Sequence, residues 1–597
     1  MPEPTAFDLH AAYRRRCDAL IDFFADREAD EYLPYTGLIE VAARLYRGRP
    51  LDQIVPDLVR LMANPHGDMF WMYPMTVVAC LGENRLPESI RRPLRALWRT
   101  YTPYRGDTEN HWAMYYASLF LMTELYPDEP GDAWFNGRSS AENHAEARDY
   151  LLHWIDFTTR EGQGEFDSPH YLPFFITPMA MLYAFTRDAR MRLAAEMMLD
   201  YLIADFAVDT LDGLYAGAFS RIYPIPAVER WKNGSTTFAH LLFGNTPFSP
   251  QRVNVVLPRI GYRPHGVVAI LAMSGYTPHP VLHGMATDRS RPFISLERKR
   301  TRTRIRWSSE RHAPVYKYMF MRREYAMGSI QGGLLQPIQQ HTWEVLWATA
   351  DPHEGFNVFF TIHPYSSPHE MGMYFGEEPK LMTENVVKAE KDTYDSPDKL
   401  TGGSPFEHVY QHADALIVLY DIPEGTRFPH VSGYLSPRLS RLEDDASGWL
   451  FLQGGDAYIA VFPLAPCEIV AHPDGSRRLH CEALRTGFVV QTAPAGDYAS
   501  FEAFTAAIRA LELQAHLSPE PRVRFTTRHG SVLDAECGEP FRIDGKAVDY
   551  AGWPLFSNPF LRAGRGSRRL EMRYGSMCRT LDFDAMRIID QVEADDA

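Results

Sequence analysis

Five short stretches of this 597-residue chain gather side chains that move protons or hold anions. The first is Thr108-Glu109-Asn110-His111-Trp112. Asn donates hydrogen bonds to a carboxylate, and His donates, accepts or relays a proton. At a helix start both stand beside unpaired backbone N–H groups. A capping segment with an incidental histidine has the same composition. The second stretch, Gly162-Gln163-Gly164-Glu165-Phe166-Asp167-Ser168-Pro169-His170-Tyr171, lies between two apolar runs. A loop that only connects helices rarely needs two carboxylates, a His and a Tyr together; the plainer reading is that Asp167 or Ser168 caps the next helix. In the third, Arg221 is flanked by Tyr215 and Tyr223. Its guanidinium suits bidentate capture of a carboxylate, and structural stacking suits it equally. The fourth, Gln339-Gln340-His341-Thr342-Trp343-Glu344, is a polar entry to a strand, as at an inter-domain cleft or in any strand with alternating polar residues. In the fifth, Glu407 to His412, His408 and His412 share a face at i, i+4, but no third ligand is evident, so no metal is expected. Asn143-His144 falls mid-helix and reads as surface.

The elements that must position these residues divide the chain in two. Apolar residues recur at i, i+3, i+4 and i+7 over 9–25, 34–47, 88–100, 110–126, 141–158, 172–186 and 189–207, predicting helices. Asp107 or Thr108, and Ser139 or Ser140, stand where caps belong. The run Ala180 to Phe185 is apolar nearly all round, predicting a helix buried on both sides. Successive helix hairpins imply an (α/α) toroid over 1–250. Prolines 258, 264, 278 and 280 then interrupt the pattern, predicting a linker over 251–295, with one short helix possible at 265–274. From about 296 the period becomes two, with strands expected at 303–307, 315–322, 342–349, 356–362, 415–420, 448–453, 457–462, 486–491 and 522–526. Many short strands with Gly, Pro, Asp and Asn turns predict an antiparallel β-sandwich over 296–515, interrupted by one helix at 501–514. A small β domain is expected over 516–597. The fold class is therefore multidomain α + β.

Composition narrows the partners. Hydrophobic residues make up 45% and charged residues 23%, as in ordinary globular proteins. A net charge of −15 argues against nucleic acid but leaves room for an acidic ligand in a locally basic cleft. The basic run 297–306 (ERKRTRTRIR) reads as a solvated strand. No apolar stretch is long enough for a membrane span, and the N-terminal residues lack a signal-peptide pattern, so a cytoplasmic location is expected. Six scattered cysteines without a CxxC pair suggest neither a disulfide framework nor a zinc site.

A helical toroid followed by an antiparallel sandwich, with an Asn-His pair in the toroid, a Tyr on a later hairpin and a His from the sandwich, resembles polysaccharide lyases of the heparinase II/III and oligoalginate-lyase type. Asn110-His111 matches the pair, Tyr171 follows at similar spacing, and His341 stands where the sandwich His is expected. The strings around Tyr171 and His341 depart from the family's usual ones. The resemblance implies β-elimination next to a uronic acid in an acidic polysaccharide or oligosaccharide, without metal or organic cofactor. It implies Asn110 as neutraliser of the uronate carboxylate, His111 or His341 as proton acceptor or relay, and Tyr171 as acid, or as both base and acid. Glu165, His170, Tyr215, Arg221, Gln340 and Trp112 are the expected substrate contacts, with His170 and Arg221 tuning Tyr171. The alternative on the same toroid is a glycoside hydrolase using Glu165 and Asp167, or Glu165 with Glu109 or Asp107.

Overall fold

The computed structural model describes residues 6–30, 34–65, 69–101, 108–244, 246–260, 262–301, 314–331, 339–365 and 395–592. The helical half contains α1 (Ala6–Ala25), α2 (Pro34–Tyr46), α3 (Val55–Ala63), α4 (Met69–Gly82), α5 (Glu88–Thr100), α6 (Glu109–Leu125), α7 (Ser140–Glu161), α8 (Pro173–Phe185) and α9 (Ala189–Val208). It continues through α10 (Pro224–Val228), α11 (Gly234–Phe243), α12 (Pro250–Val256), α13 (Val268–Met273) and α14 (Pro280–Thr287). Helices α2, α4, α6, α8 and α13 close an inner ring, each packed on the next and α13 back on α2. Helices α1, α5, α7 and α9 pack outside it. The sequence accounts for this sorting. In α4 and α8 apolar residues occupy every face, and both helices are buried on all sides. In α5 only Ile90, Leu94, Leu97 and Trp98 with their neighbours turn inward, while Arg92 and Arg99 face solvent.

The expected linker over 251–295 is a correction. It holds α12, α13 and α14, and Val268–Met273 is wholly buried as part of the inner ring. Pro250 and Pro280 open helices instead of breaking them: the first-turn N–H that proline lacks has no partner within the helix anyway.

The sheets stack as further layers, all strands pairing antiparallel. One sheet of 13 strands runs from Glu468–Ala471 at one edge through Trp343–Trp347, Tyr325–Gln331, Pro314–Met321 and Phe293–Arg300 to Arg587–Val592 at the other. One of its faces packs on a six-stranded sheet, joining Trp343, Val345 and Phe359 to Val418, Leu452 and Val490. Its other face meets the helical half, joining Met319, Leu346 and Phe360 to Leu211, Leu214 and Trp231. The far face of the six-stranded sheet takes Phe501 and Phe504 of α15 (Phe501–Arg509) and Phe525 and Leu533 of a five-stranded sheet. Alternation along one strand shows the logic: Trp343, Val345 and Trp347 point to the sandwich, while Glu344 and Leu346 point to the helices.

Two further expectations change. The residues from 516 onward do not form a separate domain. Strands Phe556–Ser557 through Arg587–Val592 extend the large sheet, and Leu561, Leu570, Met572 and Leu581 complete the helical core. The described part of the basic run is not solvated: Arg298, Lys299 and Arg300 are buried and paired with carboxylates across the helix–sheet boundary. The strand expected at 303–307 lies outside the described residues.

Candidate active site

The N-terminal ends of α4, α6 and α8, with the approach to α13, meet at one end of the ring. Phe70 in the first turn of α4 contacts His111 of α6 (ring centroids 5.2 Å apart) and Phe174 of α8 (4.7 Å). His265, just before α13, meets Phe174 at 5.9 Å and His170 at 6.4 Å. Three helix N-termini thus turn their partial positive charge toward one place. Ser139 caps α7 with a full capping box. At α6, however, the Thr108 hydroxyl does not cap the backbone; it bonds Asn110 Oδ1 (3.0 Å) and His111 Nδ1. The carboxylate of Glu165 takes over that end of the helix.

Glu165 is fully buried. It accepts hydrogen bonds from the Asn110 backbone N–H (3.0 Å) and from Asn110 Nδ2 (3.2 Å), and it pairs with Arg221 Nη1. Arg221 spends its fork in three directions. Nη1 goes to Glu165, Nε donates to Gln339 Oε1 at 2.7 Å, and Nη2 donates to the Tyr171 hydroxyl at 3.1 Å. The guanidinium carbon also lies 4.0 Å from the centre of the Tyr171 ring. The Tyr171 hydroxyl meets that of Tyr223 at 2.5 Å, and the His170 ring stands edge-on to both tyrosines at 4.8 Å. Burial drives the Tyr171 phenol well above its ordinary range, and Arg221 offsets only part of this, so it is a protonated donor at neutral pH. Burial pushes His170 down to about 3 and His265 down to about 4, so both imidazoles are neutral.

The loop holding Glu165 and Tyr171 is anchored at both ends. At Gly164 an added Cβ would lie 2.2 Å from Arg300 Nη1 and 2.8 Å from Glu109 Oε2, so only glycine passes between this pair. The Glu165 N–H donates to Glu109 Oε2 at 2.6 Å, and Arg300 pairs with Glu109 Oε1. Three residues after Gly164, Asp167 adopts a left-handed backbone (φ 47°) and enters a buried ionic cluster. There Lys317 lies 2.7 Å and Lys299 3.2 Å from its carboxylate, and Tyr215 donates to it at 2.8 Å. Asp205 of α9, Asp209 just past its end and Glu297 share the two ammonium groups. One oxygen from each of the four carboxylates falls within 4.8 Å of the others, the spacing of a metal site, but two lysine ammonium groups already stand among them. Four carboxylates against two ammoniums leave two negative charges in excess. Burial and the neighbouring acids accordingly push Asp205 up to about 8, against Lys299 and Lys317, and Asp209 well above its ordinary range, against Lys317. Asp167 stays low: the two lysines outweigh its burial.

The structure brings Asn110, His111, Glu165, His170, Tyr171 and Arg221 together and leaves the other expected site residues elsewhere. Trp112 is buried in the helical core against Tyr150. Tyr215 is buried and serves Asp167. Gln340 is buried, donating to Thr342 Oγ1 at 3.3 Å, and its neighbour Gln339 supplies the contact to Arg221. His341 is the main correction. Its Nε2 bonds Glu344 Oε2 at 2.8 Å, Glu344 pairs with Arg230 at 2.5 Å, and the ring is packed between Phe219 and Phe360. Its backbone exchanges two hydrogen bonds of 2.9 Å with Phe219. It ties the helical half to the large sheet, and burial lowers its proton affinity despite Glu344. Asp107 lies outside the described residues. Sequence reasoning passed over Phe70, His265, Tyr223 and Gln339. Tyr223 and Gln339 belonged to stretches already singled out; Phe70 sits in an all-apolar helix and His265 between Pro264 and Gly266, where no pattern marks them.

No family model and no curated protein matches the chain. Among solved structures it is similar to heparinase III, at 10% identity and TM-score 0.40, over 91% of this chain and 92% of that one. It is also similar to the heparan sulfate lyase HepC from Pedobacter heparinus, at 11% identity and TM-score 0.24, over 89% of this chain and 94% of that one.

Proposed function

We propose that this chain is a lyase that cleaves an acidic, uronate-containing polysaccharide or oligosaccharide by β-elimination. The observation that carries the reading is the clamp of Arg221 on Tyr171, with a protonated phenol, neutral imidazoles and three helix N-termini around it. The proton on C5 of a uronate is acidic because it lies α to a carboxylate, and its removal builds charge on that carboxylate. The helix N-termini supply the field that stabilises this charge. His111, half-buried in the first turn of α6 and held through Nδ1 by Thr108, is the group placed to accept the proton. The C4–O bond then breaks, its electron pair leaves with the oxygen, and Tyr171 donates the proton that oxygen needs while the C4–C5 double bond forms. Asn110 is fully buried behind Glu165, so its part is to hold Glu165, which in turn holds Arg221 against the phenol.

The hydrolytic alternative gains no observation in its favour. It needs two carboxyl groups facing one glycosidic bond, whereas Glu165 is tied to Arg221, Asp167 to two lysines and Glu109 to Arg300. The test is a panel of alginate, glucuronan, glycosaminoglycan and rhamnose-containing uronate substrates, followed by the ultraviolet absorbance of an unsaturated product. Tyr171→Phe keeps the ring under Arg221 and removes the proton, so turnover should fall on the order of 100-fold or more with melting temperature little changed. Full activity in that variant, or no absorbance with any uronate, rejects the assignment.

A further inference from the structure

Cys467 and Cys481 are unremarked in the sequence, but folding sets them face to face. In the antiparallel ladder between Glu468–Ala471 and Arg477–Cys481, Glu468 pairs with His480. The next rung outward therefore places Cys467 opposite Cys481, on the same face of the sheet. Directly opposed residues have Cβ atoms about 4.5–5.5 Å apart, within roughly 1 Å of the separation a disulfide uses. Cys467 Sγ donates to the Ala465 carbonyl oxygen at 3.4 Å and Cys481 Sγ meets Thr486 Oγ1 at 3.3 Å. Cys481 is fully buried in the sandwich core, whereas Cys467 is only partly buried at its margin, giving the pair one inner and one outer sulfur. Strand Glu468–Ala471 is the edge strand of the large sheet, so only its partner strand holds it by backbone bonds.

We infer that Cys467 and Cys481 form a reversible thiol–disulfide couple, closed by small oxidised thiols into a cross-strand staple at the edge of the large sheet. The chemistry balances without any other reactant. Cys467, the outer sulfur, passes its proton to the Cys481 thiolate as it attacks one sulfur of a low-molecular-weight disulfide RSSR, forming Cys467–S–S–R and releasing RS⁻. Cys481 then attacks the Cys467 sulfur, the Cys467–S–R bond breaks, and a second RS⁻ leaves. The two protein thiols are oxidised, RSSR is reduced to two RSH, and the two thiol protons end on the released thiols. The surroundings favour this pair over the other cysteines. The facing Cys467 thiol holds Cys481 down to about 6 while Cys467 itself is pushed up, so the pair carries one thiolate near neutral pH, resting on Cys481 and able to take the Cys467 proton. Burial instead pushes Cys17 up to about 11, Cys537 up to about 12, and Cys80 higher still.

The test uses the whole folded chain in glutathione buffers of increasing oxidised fraction. After alkylation and digestion, mass spectrometry should find the segments bearing Cys467 and Cys481 joined, with both thiols lost together and recovered on reduction. The oxidised protein should melt higher, and the amides of 468–471 should exchange more slowly. In Cys481→Ser the mixed disulfide should accumulate on Cys467; in Cys467→Ser neither residue should react. Both thiols remaining alkylatable in excess oxidised glutathione overturns the proposal. So does a wild-type protein that stops at the glutathione adduct.

Discussion

Arg221 shows how one residue carries several duties. Its three partners lie in three directions, a geometry that a lysine cannot satisfy. Arg221→Lys should keep the charge and lose the fork, lowering kcat about 10-fold to 100-fold, with the alkaline limb of the pH–rate profile moved as Tyr171 loses its donor. A lysine variant of wild-type activity would remove Arg221 from the account. Asp205 gives a second residue-level test. Its folded pKa of about 8 exceeds the unfolded value of about 3.9, so the native state binds more protons between those limits and stability falls as pH rises through that window. Asp205→Asn mimics the protonated form, so its stability relative to wild type should rise by up to about 1.4 kcal/mol per pH unit between roughly pH 4 and 8 and level off above. Melting curves across this range check it, and a pH-independent difference contradicts it. At this scale the sequence was informative about residue type and uninformative about partners. Glu165, Tyr171 and Arg221 stood out because a connecting loop has no need of them. His341 looked the same, yet Glu344 three residues later and Arg230 over a hundred residues earlier absorb it, and no linear pattern shows that pairing.

Elements matter through the loop of 162–172. It is pinned at Gly164 by Arg300 and Glu109 and at Asp167 by Lys317 and Lys299, so two adjoining strands of the large sheet set the place of Glu165 and Tyr171. Gly164→Ala should force Arg300 or Glu109 aside and cost about 1–3 kcal/mol of stability, with turnover reduced more than substrate affinity. Lys317→Met leaves Asp167, Asp209 and Glu297 with one cation fewer in a buried site and should destabilise by about 3–5 kcal/mol, measured by denaturant unfolding. A cost below 1 kcal/mol would show that the cluster exchanges protons for the missing ammonium. Most helices and strands were legible, because one buried face gives period 3.6 and a half-buried strand gives period 2. The elements misread are those buried on all sides or opened by proline. α4 offers no polar face to mark its period, α12 and α14 begin with Pro250 and Pro280, and Arg298 to Arg300 look like a solvent face because their carboxylate partners lie in distant helices.

For the whole molecule, helices followed by sheets was correct, and the independence of the last part was not. Leu555, Phe556, Leu570, Met572 and Phe583 lie in the same core as the inner helices, so the chain's end completes a layer built near its beginning. A chain ending near residue 550 should therefore lose the cooperative unfolding of the helical half as well as the outer strands, seen as a broad, non-coincident thermal transition by circular dichroism and fluorescence. A sharp transition at the full-length temperature would mean the helical ring closes without them. The same layering places the candidate site where helix N-termini face the large sheet, and the chemistry proposed for it has one decisive signature: elimination takes nothing from water, whereas hydrolysis adds a water oxygen to one product. Digestion of a uronate oligosaccharide, read by mass spectrometry, should give products whose masses sum to that of the substrate, one with an unsaturated end. Products whose masses sum to that of the substrate plus one water, with no unsaturated end, would contradict the account.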